Sequence, residues 1–154
     1  MTATADLSAV EETLRDVAGV VAPGRWTMTT EFTPDSGRRG WTVHLTAHSS
    51  RGASVRVHVE ESLPGLDVAL GEGGLIELLP EDGESGAVYA ALRELAELVL
   101  RGRYSEKLWY VGDRLVRSRG MLDHGDRVEV TRYRDLIPSL SSRSRQVDRR
   151  YEPY

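Results

Sequence analysis

Apolar residues near the start of the chain recur at intervals of three and four positions. The set is Leu7, Val10, Leu14, Val17 and Val21. A single stripe of this kind is typical of an amphipathic helix that buries one face. It predicts a helix over residues 8–18, in which Ser8 and Glu11 have the spacing of a capping box. Gly19 and Pro23 are expected to end this helix.

A second apolar stripe predicts a helix over residues 85–101. The stripe consists of Val88, Leu92, Leu95 and Val99, and it is widened by Ala91 and Leu98. Gly102 follows the last apolar position and is expected to stop the helix. Acidic residues at 81–84 precede it, where negative charge interacts favourably with the helix dipole.

Between the two helices the pattern changes to alternation of apolar and polar residues. The alternating segments are 25–32, 41–47 and 53–59. Alternation this regular predicts antiparallel strands with one buried and one solvent-facing side. Residues 33–40 contain Pro, Asp and Gly and are predicted to be a loop.

The turn between the second and third strands fixes a predicted register. Residues 50–52 suit a three-residue hairpin with Gly52 in the left-handed region. This hairpin pairs Val43 with Val59, and it sets His44 opposite His58 on the solvent-facing side.

Five further strands complete the prediction. Residues 66–70 and 75–79 form a hairpin through the turn at 71–74, and 104–111, 115–122 and 127–133 follow the second helix. The order α-βββ-ββ-α-βββ predicts an α+β fold, with antiparallel sheet packed against two amphipathic helices. At 154 residues, a single domain over 1–138 is expected. The Ser- and Arg-rich segment 139–154 is either a tail or a docked arm.

Composition and the absence of long apolar stretches indicate the cellular compartment of the protein. The sequence has no cysteine, which excludes disulfides and thiolate metal sites. The first eight residues lack the features of a secretory signal. The longest apolar stretch, 17–22, is far shorter than the roughly 20 residues that cross a bilayer. These features predict a soluble cytoplasmic protein that does not bind membranes, and the Arg-rich, Lys-poor composition favours a bacterial source.

Charge is distributed unevenly along the chain. Residues 1–99 contain 7 Arg and 16 acidic residues, for a net charge of −9, whereas residues 100–154 have a net charge of +5. The two parts either complement each other within the fold or leave a basic face for an acidic partner.

Two groups of residues resemble sites without having their full pattern. His44, His58 and Glu60 would be the candidate ligands for a metal ion, but half-exposed histidines are ordinary on sheets. A register shifted by one step would pair His44 with Arg56 instead. The glycines at 71–74 lead into a strand rather than a helix, so they do not form a phosphate-binding loop. No metal or cofactor is predicted.

Catalytic patterns are missing from the sequence. It has no cysteine nucleophile and no Gly-x-Ser-x-Gly elbow. The adjacent carboxylates Glu60 and Glu61 would point to opposite faces of a strand and could not share a proton. We therefore predict no catalytic residue and favour a non-enzymatic protein, with an active site assembled from scattered residues as the alternative.

The stretch that begins at residue 103 combines aromatic and basic side chains. The candidate binding residues are Lys107, Trp109, Arg114, Arg117 and Arg119. They suit three interpretations, namely an ordinary sheet edge, a protein interface or a surface for single-stranded nucleic acid. The net charge of −4 argues against nucleic acid.

The sequence thus predicts a protein-binding module, such as an immunity or antitoxin-like inhibitor, or a small chaperone, of a cognate bacterial protein. A small-molecule-binding regulatory domain is the second alternative, beside the enzyme with scattered residues. Exposed sheet edges would also allow two copies to pair as a homodimer.

Overall fold

The computed structural model describes residues 5–34, 39–81, 84–131, 134–135 and 143–154. Within these ranges the helices are α1 (Leu7–Val21) and α2 (Ser85–Leu100). The strands are β1 (Trp26–Thr33), β2 (Gly40–Ala47), β3 (Val55–Glu60), β4 (Leu66–Leu70), β5 (Gly74–Leu78), β6 (Tyr104–Val111), β7 (Arg114–Asp123), β8 (Val128–Val130), β9 (Arg134–Asp135) and β10 (Arg145–Arg150).

The strands form two antiparallel sheets. The first sheet is a five-stranded meander in the order β1-β2-β3-β4-β5. The second has the order β10-β6-β7-β8, and β9 pairs with β7 at its side. The predicted α+β class and the order of its elements are confirmed. Strands β9 and β10, which follow the last predicted strand, were not foreseen.

Both helices and both sheets contribute to one hydrophobic cluster. Alternation places Val43, Val57 and Val68 of the first sheet in it, and Tyr104 and Leu122 join it from the second sheet. The helices pack against each other and close this core. In the described ranges, neither helix combines the length and the apolar character that crossing a bilayer requires.

The first helix begins and ends elsewhere than predicted. Asp6 is the N-cap, and its Oδ1 accepts a hydrogen bond of 2.9 Å from the amide of Ser8. Glu11 does not close a capping box, because its carboxylate accepts a hydrogen bond of 2.5 Å from the hydroxyl of Thr30 on β1. Gly19 lies inside the helix, since apolar contacts continue to Val21.

The predicted register between β2 and β3 is wrong. Val43 pairs with Val57, and His44 pairs with Arg56 rather than with His58. The connection includes residues 48–54, so it is longer than a three-residue hairpin, and Gly52 does not adopt a positive φ.

The chain end accounts for the longer connection. Tyr154 is 7% exposed, and its hydroxyl donates to the carbonyls of Ala53 (2.5 Å) and Leu45 (3.2 Å). A Cβ at Gly52 would lie 3.2 Å from the Tyr154 ring. The connection therefore forms part of the pocket for this ring, which no local turn rule would anticipate.

Part of three predictions lies outside the described residues. These parts are 35–38 of the loop at 33–40, 132–133 of the strand at 127–133, and 139–142 of the C-terminal segment. Residues 82–83 of the acidic segment and residues 1–4 and 136–138 of the predicted domain also lie outside the described residues. The described remainder of the C-terminal segment contains β10, which pairs along its length with β6.

Candidate functional site

The pairing of β6 with β7 brings most of the predicted binding residues together. Lys107 lies opposite Arg119, and Trp109 lies opposite Arg117. Their neighbours in the alternation, such as Leu108, are buried on the other side of the sheet. We call the group of Lys107, Trp109, Arg117 and Arg119 the basic face. Arg117 and Arg119 occupy half-buried positions that alternate with the buried positions of β7.

The side chains of the basic face are half-buried, and two of them contact each other. The guanidinium carbon of Arg117 lies 5.9 Å from the centre of the Trp109 ring, within the range of a cation–π interaction. Arg114 is exposed and pairs with Val111, beyond the irregularity at Trp109 and Tyr110. It therefore lies at the rim of the face and not within it.

Strand β10 extends the basic face along the other side of β6. Gln146 pairs with Trp109, Asp148 with Lys107, and Arg150 with Ser105. A groove of about 630 Å³ lies at this end of the sheet, and its lining includes Lys107, Asp148 and Arg150. The sequence did not reveal this half of the surface, because β10 has few apolar residues and returns from a distant part of the chain.

A buried carboxylate lies on the opposite side of β6. Glu106 is 0% exposed. Its Oε1 accepts hydrogen bonds from the amides of Gly73 (2.9 Å) and Gly74 (2.8 Å) and from the hydroxyl of Tyr104 (2.8 Å). Its Oε2 accepts from the amide of Glu72 (3.1 Å) and from the hydroxyl of Tyr151 (2.5 Å). We call this arrangement the Glu106 centre.

The turn between β4 and β5 supplies the three amides of the Glu106 centre. The hairpin predicted at 71–74 is confirmed. Successive amides that converge in this way form a nest for an anion, and here the anion is the chain's own carboxylate. A Cβ at Gly71, which has a φ of 56°, would lie 2.7 Å from a Glu106 oxygen, and one at Gly74 would lie 2.0 Å from the Tyr104 hydroxyl. Only glycine fits this approach.

Burial and the Glu106 carboxylate raise the pKa of the surrounding tyrosines. Burial, followed by the charge and hydrogen bond of Glu106, raises the pKa of Tyr104 far above its ordinary value. Burial and the hydrogen bond to Glu106 raise the pKa of Tyr151 in the same way. Both hydroxyls therefore stay protonated and donate throughout the neutral range.

The Glu106 centre is a structural joint rather than a reactive group. Five donors surround one carboxylate, which has about four lone-pair sites, so no oxygen is left to take a proton from a substrate. The joint connects the β4–β5 turn of the first sheet with β6 and with the segment that follows β10. At its edge, Glu72 contacts the hydroxyl of Tyr110 and the guanidinium of Arg149.

The candidate metal ligands do not converge. His44 Nε2 lies 2.9 Å from Glu31 Oε1, and His58 Nδ1 lies 3.1 Å from the hydroxyl of Thr42. Glu60 accepts a hydrogen bond of 3.3 Å from the Ser62 hydroxyl. In the part of the chain that the structure describes, no three His, Asp or Glu side chains are grouped so that they could hold a metal ion.

A histidine that the sequence did not single out lies between two carboxylates. His124 Nε2 is 2.8 Å from Glu129 Oε2, and its Nδ1 is 3.4 Å from Glu94 Oε1. These residues come from the end of β7, from β8 and from α2. The sequence signal was weak, because His124 stands in a turn and Glu94 lies far upstream, although Glu129 is only five residues downstream.

Comparison with known proteins adds no relative. No protein-family model, curated protein or solved structure matches the chain. The candidate functional features of the chain are therefore the basic face, the Glu106 centre and the surroundings of His124. Of these, the basic face combines solvent access with the residue types that bind partners.

Proposed function

We propose that the protein is a non-enzymatic binding module that holds an acidic segment of a partner protein on the basic face. The observation that carries the proposal is the cross-strand pairing of Lys107 with Arg119 and of Trp109 with Arg117. This pairing places Arg117 beside the Trp109 ring and two further cations at the neighbouring pair of the same two strands. Trp and Arg are the residues that most often dominate binding energy at protein interfaces.

The chemistry of the face favours a protein over a nucleic acid. Stacking platforms for single strands use successive aromatic rings, whereas the basic face offers only Trp109. An acidic peptide can place separate carboxylates on Arg117 and Arg119 while an apolar side chain covers the indole. Charge-assisted hydrogen bonds of this kind contribute about 1.5–3 kcal/mol each.

Within this class we propose an immunity or antitoxin-like inhibitor, or a small chaperone, that acts on one bacterial partner in the cytoplasm. Such proteins need a recognition surface and no reactive group. The support is the basic face together with the saturated hydrogen bonding of Glu106, the most deeply buried carboxylate among the described residues.

The test uses charge reversal on the face. The double variant Arg117→Glu and Arg119→Glu is expected to weaken binding of the purified partner by about 30-fold or more, since a true hot spot contributes about 2 kcal/mol or more. The partner would be isolated by affinity capture with the wild-type chain, and the dissociation constants would be measured by titration calorimetry.

A matched variant separates the face from overall charge. Arg15→Glu with Arg56→Glu changes the net charge equally at two exposed positions outside the second sheet, and it should leave affinity within about threefold. Thermal melting of both variants shows that they are folded. If both double variants weaken binding equally, or if the face variant binds as tightly as wild type, the proposal is wrong.

A further inference from the structure

A small apolar cavity lies at the junction of the two sheets beneath α2. It has a volume of about 120 Å³. Its apolar lining comes from β5, α2 and β7, namely Ile76, Leu78, Ala91, Leu95, Leu98 and Leu122. The remaining lining residues are Glu94, His124 and Glu129. The cavity thus has apolar walls and a polar mouth that carries two carboxylates.

The mouth of the cavity is negatively charged and accessible. The side chains of Glu94 and Glu129 are 65% and 55% exposed, whereas His124 between them is 11% exposed. Even a protonated His124 would balance only one of the two carboxylates. Each carboxylate has a second oxygen that can accept from a ligand. An open depression of about 320 Å³ shares Glu94, Leu98 and His124 with the cavity and offers a route to solvent. Arg101 and Arg103 also line this depression, and Arg101 is paired with Glu97 there.

We propose that this cavity binds a short aliphatic ammonium compound. The ammonium group would donate to Glu94 or Glu129, which contact opposite nitrogens of His124, and the alkyl chain would contact the apolar walls. At about 30 Å³ for each group of the size of water, the cavity accommodates about four methylene or methyl groups. A carboxylate ligand would meet two like charges, and an alcohol would fill the same space without the ion pair. The site is separate from the basic face and does not depend on the proposed function.

n-Butylammonium is the probe that tests this site. In a titration followed by amide chemical shifts, it should saturate shifts at Ala91, Leu95 and His124. It should bind about threefold more tightly than n-butanol, because an ion pair with an exposed carboxylate adds modestly to the same apolar contact. Butyrate should bind more weakly than either compound. If n-butanol binds as tightly as n-butylammonium, the ammonium site is excluded.

Two pairs of variants locate the binding. Glu94→Gln with Glu129→Gln should remove the preference for n-butylammonium over n-butanol. Glu12→Gln, at an exposed position of α1, should preserve this preference. Ala91→Leu fills the cavity and should abolish binding of both compounds, whereas Ala87→Leu, four residues earlier and exposed, should not. Unchanged binding in a folded Ala91→Leu protein would show that the ligand lies elsewhere and would overturn the proposal.

Discussion

Replacing Glu106 with alanine is expected to lower the free energy of unfolding by roughly 4 kcal/mol, because several buried donors lose their acceptor at once. The amides of Gly73 and Gly74 and the hydroxyl of Tyr104 share Oε1, while the amide of Glu72 and the hydroxyl of Tyr151 share Oε2. The tyrosine hydroxyls can turn toward other acceptors. The three amides are fixed by the turn and cannot.

Glutamine at the same position should cost less, about 1–3 kcal/mol. Its carbonyl can replace Oε1, but its NH₂ group then faces the amide of Glu72, where two donors meet. The hydroxyl of Tyr151 can rotate and accept from the NH₂ group, so a single amide is left without an acceptor. The order wild type, Glu106→Gln, Glu106→Ala in stability is therefore the signature of a carboxylate that acts as an acceptor for the turn.

Urea unfolding measures the free energy of unfolding of both variants. Glu12→Ala, at an exposed position of α1, is the control. The control should change the free energy of unfolding by less than about 0.5 kcal/mol. A loss below about 1 kcal/mol in Glu106→Ala would mean that the turn amides find solvent or other acceptors, and the Glu106 centre would not be the joint between the sheets.

The elements that could be predicted are those whose signal is local. The apolar stripe of α2 and the alternation of β2 are properties of consecutive residues. Burial follows them along the α2 stripe and at Val43 and Leu45 of β2, whereas Trp41, predicted on the same side of β2, is 37% exposed. Register depends on the length of a turn and on what the turn contacts. His44 pairs with Arg56 because the connection at 48–54 surrounds the Tyr154 ring, and that ring is about a hundred residues away along the chain.

The candidate sites also differ in whether their residues lie close together in the sequence. The basic face could be predicted because its residue types lie within two neighbouring strands. One local feature indicated that Glu106 is buried, since it alternates along β6 with the buried residues Tyr104 and Leu108. Its role could not be inferred because the amides lie more than 30 residues upstream and Tyr151 lies 45 residues downstream. A charged residue at a position of a strand that alternates with buried apolar residues should therefore be examined for hydrogen-bond donors from distant parts of the chain.

Alkaline pH should destabilise the protein steeply, with buried tyrosines as the cause. Burial raises the pKa of Tyr104, Tyr151 and Tyr154 in the folded protein, and the Glu106 carboxylate raises those of the first two further. In the unfolded chain a tyrosine has its ordinary pKa of about 10. Their stabilising effect is therefore complete below pH 10 and is lost as pH rises above it, by about 1.4 kcal/mol per pH unit for each tyrosine.

The composition makes this slope unusually easy to assign. Lys107 is the only lysine in the sequence, and arginine keeps its proton throughout the accessible range, so few other groups titrate between pH 10 and 12. Urea unfolding at several pH values measures the slope, and tyrosinate absorbance reports ionisation directly. Burial also raises the pKa of Tyr110, so Tyr151→Phe removes one of four such groups and should reduce the slope by about 1.4 kcal/mol per pH unit. A free energy of unfolding that stays level to pH 11.5 would show that the tyrosines ionise within the folded protein, and Glu106 would then not hold their protons in place.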